Sequence, residues 1–230
     1  MHTLGLLGGM SWESTLPYYR IINECIRERL GGLHSAKLVL YSVDFAEIER
    51  LQHADDWDAA GRVLADAARA LQRAGAEAIV ICTNTMHRVL PAIEAVIDIP
   101  VLHIADATAR RVTVAGIDVV GLLGTRFTME QDFYRGRLES SGLRVIVPET
   151  SQRENVHQII YDELCQGVIR DDSRTVYRQI MADLVAHGAR GIIFGCTEIG
   201  LLVDVADVSV PAFDTTRIHA EDAVEWMLAT

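Results

Sequence analysis

The sequence predicts an α/β protein of two pseudo-symmetric lobes, each a mainly parallel sheet flanked by helices, with an active site in the cleft between them. Three observations predict it. First, residues 78–81 (Ala-Ile-Val-Ile) form a short apolar run rich in β-branched side chains, the kind buried on both faces of a parallel sheet, and it stops at the polar cluster Cys82, Thr83, Asn84, Thr85. Second, residues 191–200 (Gly-Ile-Ile-Phe-Gly-Cys-Thr-Glu-Ile-Gly) follow the same plan; superposing the two runs lays Cys82 on Gly195 and Thr83 on Cys196. Third, the flanking elements recur at nearly constant spacing: Gly121 lies 116 residues after Gly5, Cys196 lies 113 after Thr83, and Pro211 lies 111 after Pro100. A drift this small is loop trimming.

Taken in order, residues 3–7 are the first strand, followed by Gly8-Gly9-Met10-Ser11. Gly5, Gly8 and Gly9 lack the G-x-G-x-x-G spacing of a dinucleotide site, but glycines here permit a tight turn and close approach of a small ligand. Ser14 or Thr15 caps the next helix and Pro17 is tolerated in its first turn. Leu16, Tyr19, Ile22, Cys25, Ile26 and Leu30 are its expected buried stripe, and Gly31-Gly32 ends it. Residues 37–43 form the second strand. Residues 44–52 are a short amphipathic segment carrying Gln52 beyond that strand's carboxyl end, and residues 57–73 are a strong helix stopped at Gly75. After the 78–81 strand come a helix over 86–97, a strand over 99–104, and a helix ending near Gly116. The second lobe repeats the pattern with a strand over 119–125, a helix over 128–138, a strand over 144–147, and helices from about 155 and 173. The Cys196 strand and a proline-led strand over 210–214 complete it.

The net charge of −11 and the absence of any basic run argue against nucleic-acid binding, which needs a basic face. They do not argue against an anionic substrate, because net charge is screened within about 10 Å while one local cation sets the field in a pocket. No stretch approaches the roughly 20 apolar residues that span a bilayer, and the N-terminus shows no signal-peptide pattern. Cys25, Cys82, Cys165 and Cys196 form no C-x-x-C pair and no zinc spacing. The expectation is a reduced, cytoplasmic protein with no metal, no membrane and no nucleic-acid partner.

In open α/β sheets ligands bind beyond the carboxyl ends of the strands, so Thr83 and Cys196 end two binding loops. Acid/base groups on opposite sides of one carbon are what inversion of a carbon acid requires, and a thiolate is a base near neutral pH when its pKa is lowered. The phrases Gly-Leu-Leu-Gly-Gly-Met (5–10), Thr-Asn-Thr-Met-His (83–87) and Gly-Cys-Thr-Glu (195–198) resemble the aspartate/glutamate racemase family, along the whole chain. The resemblance implies the two-lobe fold with a C-terminal segment returning to the first lobe, so the expected lobes are residues 1–104 with 209–230, and residues 105–208. It also implies cofactor-independent racemisation of an amino acid, L-aspartate or L-glutamate, without pyridoxal phosphate, and a homodimer. It gives Cys196 the α-proton of the L-isomer and leaves Thr83, where the family has cysteine, to reprotonate the other face as a relay from water or His87. Met10, Gln52, Asn84, Thr85, Arg126, Thr128, Thr197 and Glu198 are the expected substrate contacts, with His87 behind them.

Two departures bear on the substrate. Cys165 stands where family members often carry a lysine for the side-chain carboxylate, and Gln52 is the nearest match to an arginine after the second strand, which leaves Arg126 as the best remaining cation. A broader-specificity racemase, or a hydantoin racemase, maleate isomerase or decarboxylase reaction on the same fold, is the alternative. A nucleotide-binding module with Asp44 on a ribose is a third reading. Plainer roles stand beside these. Cys25, Cys82 and Cys165 read as small core residues, and Asn84, Thr85, Thr197 and Glu198 as helix caps. The plainer reading of Arg126 is a surface ion pair, worth little, and His87, His103 and Asp214 read as locally satisfied polar groups.

Overall fold

The computed structural model describes residues 1–229. The chain forms two compact units, residues 1–103 with those from 219 onward, and residues 104–218. Each unit holds one four-stranded, all-parallel sheet. In the first, β1 (Leu4–Gly8), β2 (Leu38–Ser42), β3 (Ala78–Ile81) and β4 (Val101–Leu102) lie in the order β2-β1-β3-β4. In the second, β5 (Val119–Gly124), β6 (Arg144–Ile146), β7 (Gly191–Gly195) and β8 (Ala212–Asp214) lie in the order β6-β5-β7-β8. The two orders are the same permutation of the strand sequence, as a duplicated unit requires.

Register carries the repeat down to single residues. Gly5 pairs with Ile79 and Leu7 with Ile81, while Gly121 pairs with Ile192 and Leu123 with Phe194. Thr83 and Cys196 therefore occupy the same place, two residues past the last of these pairs. The recurring glycine has a packing reason: a Cβ on Gly5 would lie 3.0 Å from Ala76 Cβ, and one on Gly121 would lie 2.7 Å from Ile192 Cδ1 and 3.0 Å from Leu184 Cδ1. In both units the strand is pressed too closely by its neighbours to carry a side chain there.

The boundary expected at 209 falls instead at 219. The strand Ala212–Asp214 pairs with β7 through Ile192↔Ala212 and Phe194↔Asp214, which keeps it in the second unit. Only the C-terminal helix (Thr215–Leu228) carries the chain back, with Ala220, Ala223, Val224 and Met227 in the first unit's core. That core also takes Leu4, Leu6, Val80 and Cys82 from one sheet face, and Tyr18, Ile22 and Ile26 from the helix Trp12–Leu30.

That helix corrects a sequence expectation. It starts at Trp12 with Ser11 as its cap residue, so Ser14 and Thr15 lie inside it and donate their hydroxyls to the Ser11 carbonyl. Its buried side is Ser14, Thr15, Tyr18, Ile21, Ile22 and Ile26, whereas Leu16 is 57% and Tyr19 55% exposed. Two apolar stripes run along this helix, and the sheet took the other one. The helix expected over 86–97 is a 3₁₀ turn (Thr85–Val89) followed by a short helix (Leu90–Glu94), because Pro91 has no N–H and starts a helix better than it continues one. The helix expected over 128–138 breaks at the extended Gln131 into Arg126–Glu130 and Asp132–Ser140, and the one expected from about 155 starts at Thr150. Among the described residues, no helix is long and apolar enough to cross a membrane.

Candidate functional site

At the end of β3, Cys82 continues the sheet by donating its N–H to the Leu7 carbonyl at 2.9 Å. The chain then turns sharply, with the Thr83 N–H donating to the Ile81 carbonyl at 2.8 Å in a three-residue turn centred on Cys82. The Cys82 side chain lies fully buried in the apolar core, and burial pushes its thiol pKa far up, so it is a core residue and not a base. Thr83, Asn84, Thr85 and His87 follow on the turn, all buried.

The His87 ring is oriented by the backbone. Its Nδ1 lies 2.9 Å from the Thr83 carbonyl oxygen, and a carbonyl only accepts, so this partner assigns the proton to Nδ1. Burial, then the nearby His103 and His219, hold the His87 pKa well below its ordinary value, which makes the ring neutral. A relay from His87 to the Thr83 hydroxyl is not what this contact provides, because the ring reaches the carbonyl. The ring centroid of His103 lies 4.4 Å away and that of His219 6.1 Å. His219 Nε2 donates to the Leu102 carbonyl at 2.8 Å, which leaves Nδ1 to accept from the Tyr18 hydroxyl at 2.9 Å. His219 and Tyr18 were missed in the sequence, since 201 positions separate them and no local pattern joins them. Gln52 is buried on the helix Phe45–His53 and donates Nε2 to Met86 Sδ at 3.0 Å. Met10 is buried in the β1 loop, where Gly9 has φ 91° and a Cβ would run into the backbone of Val43. Asp44 caps the helix after β2 by accepting from the Ala46 N–H, which gives it a structural task in place of a ribose.

At the end of β7 the second unit places Cys196, Thr197 and Glu198 together. Cys196 Sγ donates to Glu198 Oε2 at 3.0 Å, and Thr197 Oγ1 donates to the same oxygen at 2.8 Å. Glu198 stands at the cap position of the helix Ile199–Leu202 but makes no side-chain cap bond there; its carboxylate turns to the thiol instead. Burial first, then the Glu198 charge and the Cys165 thiol, raise the Cys196 pKa well above its ordinary value, while the Glu198 N–H pulls the other way. The resting group is a neutral thiol with a proton acceptor in contact.

The other expected contacts in this unit divide. Thr128 is fully buried with its hydroxyl 3.2 Å from that of Thr125, which caps the helix Arg126–Glu130. Arg126 is exposed, its guanidinium 5.9 Å from the centre of the Phe127 ring. Tyr177 was not anticipated: it is fully buried, donates to the Val156 carbonyl at 3.3 Å, and is held protonated by burial first and then by Cys196, Cys165, Glu198 and Glu163. Ser173 in turn holds Glu163 at 2.6 Å. Asp214 accepts from the N–H groups of Thr216 and Arg217 at the start of the C-terminal helix. A cavity of about 470 Å³ in this unit is lined by Arg111 and Arg217 together with Asp204 and Asp214, and by none of the expected site residues.

The profile of the Asp/Glu/hydantoin racemase family matches residues 7–223. The chain is 25% identical over 233 residues to the broad specificity amino-acid racemase RacX of Bacillus subtilis (strain 168), covering 98% of both chains. Among crystal structures, a Yersinia pestis protein provisionally described as an Asp/Glu racemase is 59% identical over the whole of both chains, with a TM-score of 0.91. PH1733, an aspartate racemase homologue from Pyrococcus horikoshii OT3, is 36% identical over the whole of both chains, with a TM-score of 0.85.

Proposed function

The chain belongs to the Asp/Glu/hydantoin racemase family, and from this premise we propose that it is an isomerase that inverts the α-carbon of a free amino acid without a cofactor. Cys196 takes the α-proton of the L-isomer, and the Thr83 side supplies a proton to the other face of the carbanion. The observation that carries the assignment is the Cys196 thiol in contact with the Glu198 carboxylate at the carboxyl end of β7. Transfer of the thiol proton to Glu198 Oε2 generates the thiolate, which then bonds the α-hydrogen while the C–H electron pair moves into the substrate carboxylate as an enediolate. Threonine is too weak an acid to form an alkoxide at neutral pH, so its hydroxyl hands on a proton taken from water.

Met10, Gln52, Asn84, Thr85, Arg126, Thr197 and Glu198 remain the proposed substrate contacts, with His87 orienting the Thr83 turn; Thr128 acts through the Thr125 cap. The resemblance points to L-aspartate and L-glutamate as substrates, and the similarity to a broad-specificity racemase supports the wider range. The four cysteines are free thiols, which suits a reducing cytoplasm.

A homodimer has a surface available. Trp12, Leu16 and Tyr19 on the outer stripe of the first helix are 57%, 57% and 55% exposed, and Leu40 and Tyr41 on the edge strand β2 are 48% and 42% exposed. A Cβ on Gly8 would touch both Thr15 and Leu40, so the strand and the helix meet beside that glycine. Half-exposed side chains of this size present on the order of 500 Å² of apolar area. That matches the apolar share of a standard interface, which buries about 800 Å² per partner.

The test is α-hydrogen exchange in heavy water. Cys196→Ala should abolish exchange of the L-isomer, and Thr83→Cys should speed exchange of the D-isomer. Persistence of L-exchange in the alanine variant would remove Cys196 from the mechanism, and an unchanged D-rate in the second would remove Thr83.

A further inference from the structure

The cavity of about 470 Å³ lies wholly within the second unit, and Cys196, Thr197 and Glu198 do not line it. Its volume falls within the roughly 300–1,000 Å³ of small-molecule pockets. Its floor is apolar: Phe194, Val203, Phe213 and Ile218 line it, each 5% exposed or less. Its rim is charged, with the exposed Arg111, Arg217 and Asp204 and the half-buried Asp214. Two guanidinium groups and two carboxylates sum to zero. A simple anion would meet the carboxylates of this rim, and a simple cation its guanidinium groups. The ligand that matches the rim carries both signs and no net charge.

The carboxylates are held in place by the backbone. Asp204 Oδ1 accepts from the Ala206 N–H at 2.7 Å, and Asp214 Oδ1 accepts from the N–H groups of Thr216 and Arg217 at 2.9 and 3.3 Å. Groups already fixed lose little freedom when a ligand arrives.

The same cleft touches both ends of the turn that carries the thiol. Phe194 lies two residues before Cys196, and Gly200 two after Glu198. A Cβ on Gly200 would lie 3.0 Å from Asp214 Oδ2, so the carboxylate stands close against that end of the turn. Thr216, whose N–H Asp214 holds, donates its hydroxyl to the Thr197 carbonyl at 3.4 Å, and Thr215 donates its own to the Phe194 carbonyl at 2.7 Å. A ligand that shifts Asp214 therefore acts on a partner of the residue next to Cys196.

We propose that this cleft binds a free α-amino acid with an apolar side chain, its carboxylate on the arginines and its ammonium on Asp204 and Asp214, and that occupancy alters the reactivity of Cys196. The apolar side chain covers the floor. The site is separate from the racemase reading, and none of the readouts below requires α-hydrogen exchange.

The experiment titrates L-leucine, 4-methylpentanoate and 3-methylbutylamine into the full chain with labelled valine, leucine and isoleucine methyl groups, followed by NMR. The three share an apolar part and carry both charges, the negative one alone and the positive one alone. The methyls of Val203, Val205 and Ile218 should shift saturably with leucine, with a Kd on the order of 1 mM. Both singly charged analogues should bind at least about tenfold more weakly, the usual worth of a charge-assisted contact. Absence of leucine shifts at these methyls overturns the site, and equal binding of either analogue overturns the zwitterion. Arg217→Gln keeps the backbone N–H that Asp214 accepts from, and Asp204→Asn keeps an acceptor for Ala206. Each should weaken leucine about tenfold in a folded protein; unchanged affinity in both overturns the rim. In the wild-type protein, leucine should change the rate of Cys196 alkylation by iodoacetamide about fivefold. The change should be largely lost in Arg217→Gln at the same leucine concentration. A wild-type rate that leucine leaves unaltered, or a change that persists in the variant, overturns the coupling.

Discussion

Replacing Glu198 by glutamine separates two consequences of a single contact. Cys196 and Glu198 are both buried and their side chains lie 3.0 Å apart. If both were ionised, two unit charges at that distance would repel by about 5 kcal/mol at an effective dielectric near 20. This repulsion, added to burial, is why the resting site keeps the proton on sulfur. Glutamine removes the negative charge and also removes the group proposed to accept the proton. In Glu198→Gln the thiol should ionise at lower pH, so alkylation of Cys196 by iodoacetamide, followed by mass spectrometry from pH 6 to 10, should turn on earlier than in the wild-type protein. Turnover should nonetheless fall by about 10²–10⁴, the usual contribution of a positioned proton acceptor. A more ionised thiol with slower catalysis is the signature. An alkylation profile that stays in place or moves to higher pH, with circular dichroism unchanged, would refute the electrostatic argument. Undiminished turnover would refute Glu198 as the acceptor.

Two further outcomes follow from the first unit. Because the folded pKa of His87 is depressed well below that of the unfolded chain, the unfolded state takes up a proton near pH 6.5 that the folded state refuses. The associated stability is present above that pH and is lost as pH falls below it, at up to about 1.4 kcal/mol per unit. Urea denaturation at pH 7.5 and 5.5 should show the wild-type protein losing about 1 kcal/mol more than His87→Gln, and equal losses would place the ring in solvent contact. At the outer face of the first helix, Trp12→Glu with Leu16→Glu changes side chains that are each 57% exposed and outside the core, so the fold should persist while the proposed dimer dissociates. Sedimentation at micromolar concentration reads this directly, and a double variant as dimeric as the parent would exclude the face.

How much of this was legible in the sequence depended on range. The duplication was legible because register preserves spacing: Gly5 and Gly121 each sit where a neighbouring side chain leaves no room for a Cβ, so the same residue recurs at the same point of each sheet. The reading of Cys82 as a small core residue agrees with its place in the first unit's core cluster. The first helix was misread because both of its stripes are apolar, and periodicity alone does not say which one meets the sheet. The Tyr18–His219 hydrogen bond and the electrostatic effect of Cys196 on Tyr177 join parts of the chain that come together only in three dimensions, so no sequence window contains them. The turn of Glu198 from helix cap to thiol partner is a side-chain rotation, visible only in coordinates.

The two strand ends are built to the same plan, yet they differ in what they can do with a proton. After β7 an ionisable sulfur touches a carboxylate; after β3 a hydroxyl is followed by a ring that is neutral and bonded to the backbone. Asymmetry of this kind cannot make a racemase one-way. Enantiomers have equal free energy, and both directions pass through the same transition state, so kcat/KM must be equal for the two isomers. The difference between sulfur and hydroxyl can appear only in how each isomer divides that ratio between kcat and KM, and in the state of protonation each turnover leaves behind. On the proposed mechanism, removing a proton from the L-isomer leaves the free enzyme holding it on the Cys196 side, while the proton delivered through the Thr83 hydroxyl has come from water. On that proposal Thr83 bears both on the delivery of a proton to carbon, which Thr83→Cys tests, and on the return of the enzyme to its starting protonation before the next turnover.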